Sequence, residues 1–538
     1  QDTAEALCRF AFASPSRAAT PSNIFQTHPG SASRINRAIF AGDTLVVRWS
    51  ERKSCAICNP HVASPSTKTQ LVPCCRSSRK KPGVSPVSSS SSHPWTLEVE
   101  GFGPIIEAKI ESAPLTLLVG DNNSGKSYLA ILLWSVYQLG NPLSRPSQAV
   151  ADSSSYKELR TFFDSIGENP VVLTRTDFQK LINWAIEFLC DIPALFNLNS
   201  LYCKRLFCCL RGDDSFANVS LQKVGDDGQK RRATGASVTS VGLQRDIAFY
   251  VRSDDVLNYL FVLHFVVGRL LNFPKGTNVP TYLPASRTGF MLLYGPASAY
   301  AVQRFYGSDE QSVPRVKLPV PALEFLEWLG RGPDAEPGPF AGEADILEGL
   351  LGGAIEVERR PVGAPTYQYR PAGGESLPMP QVSSLVSELA PIILVLRYAK
   401  KLSFLVIEEP EAHLHPKVQR VLARTIVRLV RKGVRIILTT HSDLFCQQIN
   451  NCLKLGSLSE AERSLVQKQL GYDPSEYLTA EDVRGYSFQN TPKGSVVTPL
   501  QNGPFGLDMP TFNQELENIL DESRRIEDRM SQSTGGAE

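Results

Sequence analysis

The chain has no apolar run long enough for an ordinary membrane span. Its most apolar helical stretch, Leu257 to Phe273, contains His264 and Arg269. It also falls short of the ~20 residues that a span needs, so a buried helix is expected there. A disulfide framework is missing as well. The eleven cysteines are odd in number and scattered, with two Cys-Cys pairs. That pattern reads as reduced thiols and a cytoplasmic setting. Sustained heptads are absent between Ser127 and Gln381, where Pro and Gly recur, which excludes a long coiled coil. Net charge is small, at +2 over 538 residues, but unevenly placed. Residues 1–94 hold 12 Lys or Arg against 4 Asp or Glu, a net of +8, so the remainder carries −6. A body of that charge does not advertise a nucleic-acid surface, although a local basic groove is compatible with it.

Hydrophobic residues make up 42% of the chain, enough for a sizeable core and more than one domain. Residues 1–94 stand apart. They are rich in Ser, Pro and Arg, end in the run Ser88 to Ser92, and hold no lasting helical or strand period. Disorder is expected there. The composition suits an organelle transit peptide; a fragment or misplaced start is the alternative, since the chain opens on Gln1 and its first Met is Met291. Cys55, Cys58, Cys74 and Cys75 invite a zinc reading, but their spacing is poor.

Order is expected from Trp95. Leu97 to Glu100 alternates like a half-buried strand, and Leu115 to Val119 is an apolar run stopping at Gly120. A helix should follow over Tyr128 to Leu139, and residues 141–280 read as mostly helical. Phe404 to Ile407 and Arg435 to Leu438 are further buried-strand candidates, joined by a helix over Lys417 to Arg431. That order implies a parallel crossover. Arg484 to Phe488 and Ser495 to Leu500 could pair as strands. A last amphipathic helix carries Phe512, Leu516, Ile519, Leu520 and Ile526 on one face.

The segment GDNNSGKS, Gly120 to Ser127, has the spacing of a phosphate-binding loop, between a strand and a helix. Small residues such as Gly120, Asn122, Asn123, Ser124 and Gly125 let the backbone wrap closely round phosphates. Successive N–H groups and the helix N-terminus then point at the anion. Lys126 should reach the β- and γ-phosphates of ATP, and the Ser127 hydroxyl should ligate Mg²⁺. FLVIEEP, Phe404 to Pro410, delivers two acids to the carboxyl end of a buried strand, the edge where open parallel sheets bind ligands. Glu408 is expected on the metal, and Glu409 as the group that orients or deprotonates water. His441 follows the next strand and can approach the γ-phosphate. His413 and His415 flank Leu414 and suggest a metal pair only at first sight.

With those motifs goes a resemblance. The strings FGPI (Phe102 to Ile105), VGDNNSGKSYLA, LPASRTG (Leu283 to Gly289), SSLVSELAP, IEEPEAHLHP (Ile407 to Pro416) and TTHSDLF (Thr439 to Phe445) resemble the RecF/OLD-type AAA ATPases, which belong with the ABC and SMC ATPases. The resemblance implies an α/β P-loop NTPase of ABC/SMC-like type; the mostly helical inserted lobe is read from the residue pattern and has no counterpart in the resemblance. The resemblance also implies a homodimer closing head to tail around two ATP molecules. The segment at Ser383 and Ser384 would be signature-like, Ser384 contacting the γ-phosphate held by the other subunit. The usual LSGGQ glycine pair is missing there, and the first acid is Glu408 where the family usually has Asp. Arg287 would sense nucleotide or brace the site, with an ordinary buried salt bridge as the alternative. The EAHLHP segment would help form the subunit contact.

The expected organisation is an extension over 1–94 and a head N-terminal part over 95–140. An insert follows over 141–380, then a head C-terminal part over 381–450 and closing strands and helix over 451–538. Only 97 residues follow His441, without an acidic metal cluster of the TOPRIM kind. A stand-alone ATPase acting through a nuclease, toxin or DNA partner, in phage defence or DNA repair, is therefore the leading expectation. An ATP-gated nucleic-acid clamp and a transporter ATPase subunit are the competing ones.

Overall fold

The computed structural model describes residues 95–137, 153–167, 169–189, 196, 203–210, 219–223, 235–241, 244–250, 256–270, 278–292, 294, 318–359, 363–503 and 506–534. The chain divides into units 1–83 and 84–538. The disorder, transit-peptide and zinc expectations for 1–94 lie outside the described residues.

Three strands open the described chain: β1 (Trp95–Phe102), β2 (Ile105–Glu111) and β3 (Leu115–Gly120). Helix α1 (Lys126–Tyr137) leaves directly from the Gly-rich loop after β3. The insert follows with α2 (Ser154–Ser165), β4 (Val171–Val172), α3 (Arg175–Leu189), β5 (Cys203–Leu210), β6 (Val219–Lys223), β7 (Gly235–Val241), β8 (Gln244–Tyr250), α4 (Val256–Leu270) and β9 (Tyr282–Leu283). It continues through α5 (Val320–Arg331), α6 (Ala341–Glu348), β10 (Gly353–Glu358), β11 (Thr366–Pro371) and β12 (Leu377–Pro378). The remainder is α7 (Ser384–Tyr398), β13 (Phe404–Glu408), α8 (Pro416–Arg431), β14 (Arg435–Thr440), α9 (Asp443–Ser457), α10 (Glu460–Leu470), β15 (Val483–Thr491), β16 (Gly494–Pro499), β17 (Asn502–Gly503), β18 (Gly506–Leu507) and α11 (Pro510–Thr534). Among the described residues, no helix is long and apolar enough to cross a membrane.

Nine strands form one sheet in the order β5-β1-β2-β16-β15-β3-β14-β13-β9. Its centre is parallel: β3 pairs with β14 and β15, and β14 pairs with β13, which pairs with β9. The antiparallel pairs are β15 with β16, β2 with β1, and β1 with β5, while β16 pairs parallel with β2. The apolar runs LTLLVG and FLVIE are buried at every position because helices cover both faces. Alternation divides them. Leu118, Phe404, Val406 and Ile437 pack with Leu129, Leu133 and Trp134 of α1. Leu117, Val119, Leu405, Ile407, Ile436 and Leu438 pack on the opposite face with Leu389 and Ile393 of α7, Leu422 and Ile426 of α8, and Phe445 of α9. The result is a mixed α/β fold whose parallel centre gathers the carboxyl ends of β3, β14 and β13 at one edge.

Helix outweighs strand in the described insert, but strands interrupt it more than its pattern suggests. Strands β4, β6, β8 and β7 form a four-stranded sheet, and β10 to β12 a three-stranded one. The expectation of mostly helix over 141–280 therefore missed five strands, β4 to β8. Those strands run over only two to eight residues, with short apolar alternation as in Val219, Leu221 for β6 and Ile247, Phe249 for β8. Such short runs do not separate a period of 2.0 from one of 3.6. The insert is also not a detached lobe, because β5 and β9 form the two ends of the main sheet. The crossover β13–α8–β14 and the β15–β16 pair occur where the sequence places them.

Candidate functional site

The loop between β3 and α1 has a backbone shape that its glycines permit. Gly120 sits at φ +124°, Asn123 at +58° and Gly125 at +94°. A Cβ on Gly120 would lie 2.2 Å from the Phe488 carbonyl oxygen of β15. On Gly125 it would lie 2.8 Å from Ile105 and 2.9 Å from Pro104, in the β1–β2 turn. Those approaches explain why glycine stands at both ends of the loop. The Asp121 N–H donates to the Phe488 carbonyl at 3.0 Å, the Asn490 N–H to Asp121 Oδ2 at 2.8 Å, and Asn490 Nδ2 to the Asn122 carbonyl at 2.9 Å. Strand β15 thus braces the loop from outside.

Lys126 is buried. Its Nζ donates to the Gly120 carbonyl at 3.1 Å, to the Asp121 carbonyl and to Ser124 Oγ at 3.4 Å. Burial lowers its pKa to about 8 against the raising influence of Glu409, Asp121 and Glu411. Ser127, Asn122 and Asn123 are exposed to the space above the loop.

Strand β13 ends on Glu408, buried, with Oε2 accepting from the Ala285 N–H at 3.1 Å. The carboxylate also lies against the buried Tyr282 hydroxyl, whose pKa is raised by burial first and by Glu408 second. A carboxylate so buried calls for a cation or further donors. Its chemistry fits a Mg²⁺ ion, which keeps several waters and takes only one or two protein ligands. Ser127 and Glu408 are the residues that would hold that ion. The charge would polarise the phosphate oxygens.

Glu409, at φ +42°, turns the chain out of the sheet, and its side chain is 41% exposed. Its Oε1 lies 3.7 Å from His441 Nε2. Burial lowers the His441 pKa, as does the nearby Lys126 charge; Glu409 and a hydrogen bond to the Gly120 backbone oppose this. The shift favours the neutral imidazole, held between the loop and the second acid. Chemically, the edge offers a fixed ammonium, a half-exposed carboxylate and an imidazole around one space.

Two contributors escaped the sequence reading. Glu411, buried, accepts from Thr440 Oγ1 and from the His441 N–H, both at 2.7 Å, and so sets the backbone on which His441 is presented. Burial raises its pKa. It is the third acid of the EEPE string, which was its only signal. Asn490 lies far along the chain and gave none. His415 caps α8, its ring accepting from the Lys417 N–H at 3.3 Å, and His413 is exposed at φ +55°. Among the described residues, no group of three or more His, Cys, Asp or Glu could hold a metal ion. Ser384 is exposed at the start of α7, whose cap residue Ser383 makes no side-chain capping bond.

Comparison with known proteins adds a domain. Residues 342–446 match the model of the AAA ATPase domain, a span that holds Ser384, Glu408, Glu409 and His441 but not the phosphate loop. None of the curated proteins matches the chain. Among solved structures, an SMC head bound to the C-terminal winged-helix domain of ScpA is 14% identical, with 76% of this chain and 97% of that one covered and a TM-score of 0.31. The Pyrococcus furiosus SMC head with an extended coiled coil, bound to the C-terminal domain of ScpA, is 12% identical, covering 80% and 100% at a TM-score of 0.33. The SMC head domain from Thermotoga maritima is 13% identical, covering 76% and 99% at 0.29. The chain is thus a mixed α/β protein in which residues 342–446 match an AAA ATPase domain, and its main sheet brings that segment beside the loop Gly120 to Ser127.

Proposed function

We propose that this chain binds ATP with Mg²⁺ and hydrolyses it, using hydrolysis to open a head-to-tail homodimer that ATP closes. The observation that carries the chemistry is the gathering of Lys126, Glu408, Glu409 and His441 at one sheet edge from three neighbouring strands. Lys126 would hold the β- and γ-phosphates as a point charge, exchanging its present backbone acceptors for phosphate oxygens. Glu409, half-exposed beside His441, would take the proton of the attacking water. His441, neutral, would donate or accept at the γ-phosphate according to tautomer.

The dimer reading rests on the exposed start of α7. Ser384 is exposed there and no side chain caps the helix N-terminus, so that end can meet a phosphate carried by a second copy. The partner reading rests on size. The insert over 141–380 spans 240 residues, where a parallel crossover needs a dozen or so. Closure would move two such lobes against each other and against a nuclease, toxin or DNA partner.

The test is Glu409→Gln, which keeps the shape and removes the charge. With Mg²⁺ and ATP the variant should still bind nucleotide, lose turnover about 100-fold or more, and run as a dimer on sizing chromatography. Normal hydrolysis by the variant would move the base elsewhere. A monomer at saturating ATP would remove the switch.

A further inference from the structure

Arg287 follows β9 and is completely buried, a setting in which a guanidinium requires partners for its N–H groups. It has them at one place. Nη1 donates to the Glu408 carbonyl at 2.8 Å, and Nη2 to the Glu409 carbonyl at 3.1 Å and the Pro410 carbonyl at 3.5 Å. Nε donates to the Glu388 carbonyl at 3.3 Å, and Nη2 lies 2.9 Å from Glu388 Oε2. Three successive carbonyls at the exit of β13 therefore converge on one planar group.

The backbone so held is an unusual one. Glu409 has a left-handed φ of +42°, which a residue with a side chain keeps only when its surroundings impose it. Its N–H is fixed to the Thr439 carbonyl at 2.9 Å and its carbonyl to Arg287, so the peptide is gripped on both sides. That grip aims the Glu409 side chain. The other end of the clamp is Glu388, buried in α7 five residues into the helix that begins at Ser384. One guanidinium thus joins the turn bearing Glu409 to the helix bearing Ser384.

We infer that Arg287 is a positioning residue for Glu409 and, through Glu388, ties the setting of Glu409 to the docking of α7. This rests on the proposed hydrolysis and dimer, and it adds what that reading leaves open: how one site feels the other. When α7 meets the partner's nucleotide, a shift of its first turns pulls on Glu388. Arg287 passes the shift to the carbonyls of 408 to 410, and the base moves into or out of line.

Arg287→Lys keeps the charge and loses the planar fork, which a lysine cannot replace. Arg287→Met with Glu388→Leu removes both charges together, which guards against a fold lost to one orphaned ion, since apolar replacement of a buried pair is commonly tolerated. Each variant is assayed for melting temperature, affinity for a fluorescent ATP analogue, and steady-state turnover across a range of protein concentration. The expected result is kcat lowered 10- to 100-fold with nucleotide affinity within about threefold of wild type. The rise of specific activity with protein concentration should also be lost in the double variant. A double variant that melts like wild type, turns over within threefold and keeps the concentration dependence overturns the inference. So does a matched loss of affinity and turnover, which would make Arg287 a general fold staple. Wild-type protein without Lys126-dependent ATP turnover would instead overturn the functional reading itself, and the inference with it.

Discussion

Lys126 is the residue at which the site's electrostatics become measurable. Its ammonium is held at about 8 by burial, while the phosphates of bound ATP would keep it charged. Binding must then draw a proton once the free protein has lost it. ATP affinity is expected to be flat in this respect below pH 8 and to weaken above it, by up to about tenfold per pH unit. Titration of a fluorescent nucleotide from pH 6.5 to 9.5 measures this directly. Undiminished affinity at pH 9.5 would show that the lysine charge does not carry binding. Lys126→Ala removes the ammonium at every pH and should abolish turnover; equal turnover in the variant and wild type would remove the phosphate-loop assignment.

At the scale of elements, the phosphate loop depends on a strand more than 360 residues away. Strand β15 passes so close to Gly120 that any side chain there would strike the Phe488 carbonyl, and the φ of +124° adds strain. Gly120→Ala should cost about 3 kcal/mol or more and lower the melting temperature by several degrees. Asn490→Ala is gentler. It loses the side-chain bond to the Asn122 carbonyl and the bond that Ser495 Oγ donates to Asn490 Oδ1, and leaves the backbone bond to Asp121 in place. KM for ATP should rise a few-fold while the melting temperature falls by only a few degrees, since each hydrogen bond contributes about 1 kcal/mol. Unchanged KM would mean that the loop keeps its shape without β15. The same elements show how legibility depends on length. The runs before Gly120 and Glu408 announce themselves because a doubly covered parallel strand is apolar at every position. The strands β4 to β8 do not, because each is short and its alternation ambiguous.

At the scale of the whole molecule, the insert's role turns on whether nucleotide changes its surroundings. In the Glu409→Gln background, hydrogen exchange with and without ATP should show protection that differs within 141–380. Identical protection throughout would sink the switching idea and leave the ATPase standing. A truncation lacking residues 1–94 should melt and hydrolyse ATP like the full chain, because every nucleotide motif lies beyond it. A large loss of either would show that the segment completes the site or packs on the core.

The sequence by itself determined the local pattern of this protein: a loop bounded by glycines between a strand and a helix, two acids at the end of an apolar strand, and a histidine after the next one. Such features are legible because they are contiguous, and because the strand, turn and helix that present them are set by neighbouring residues. Only the tertiary structure decided what braces them. That Asn490 ties the loop, that Glu411 holds the backbone of His441, and that Arg287 reaches the carbonyls under Glu409 are relations between residues tens to hundreds of positions apart. A buried arginine, a third acid and a strand asparagine look the same in sequence whatever they touch. Their partners are chosen by the order in which the strands assemble, and that order is a property of the folded sheet.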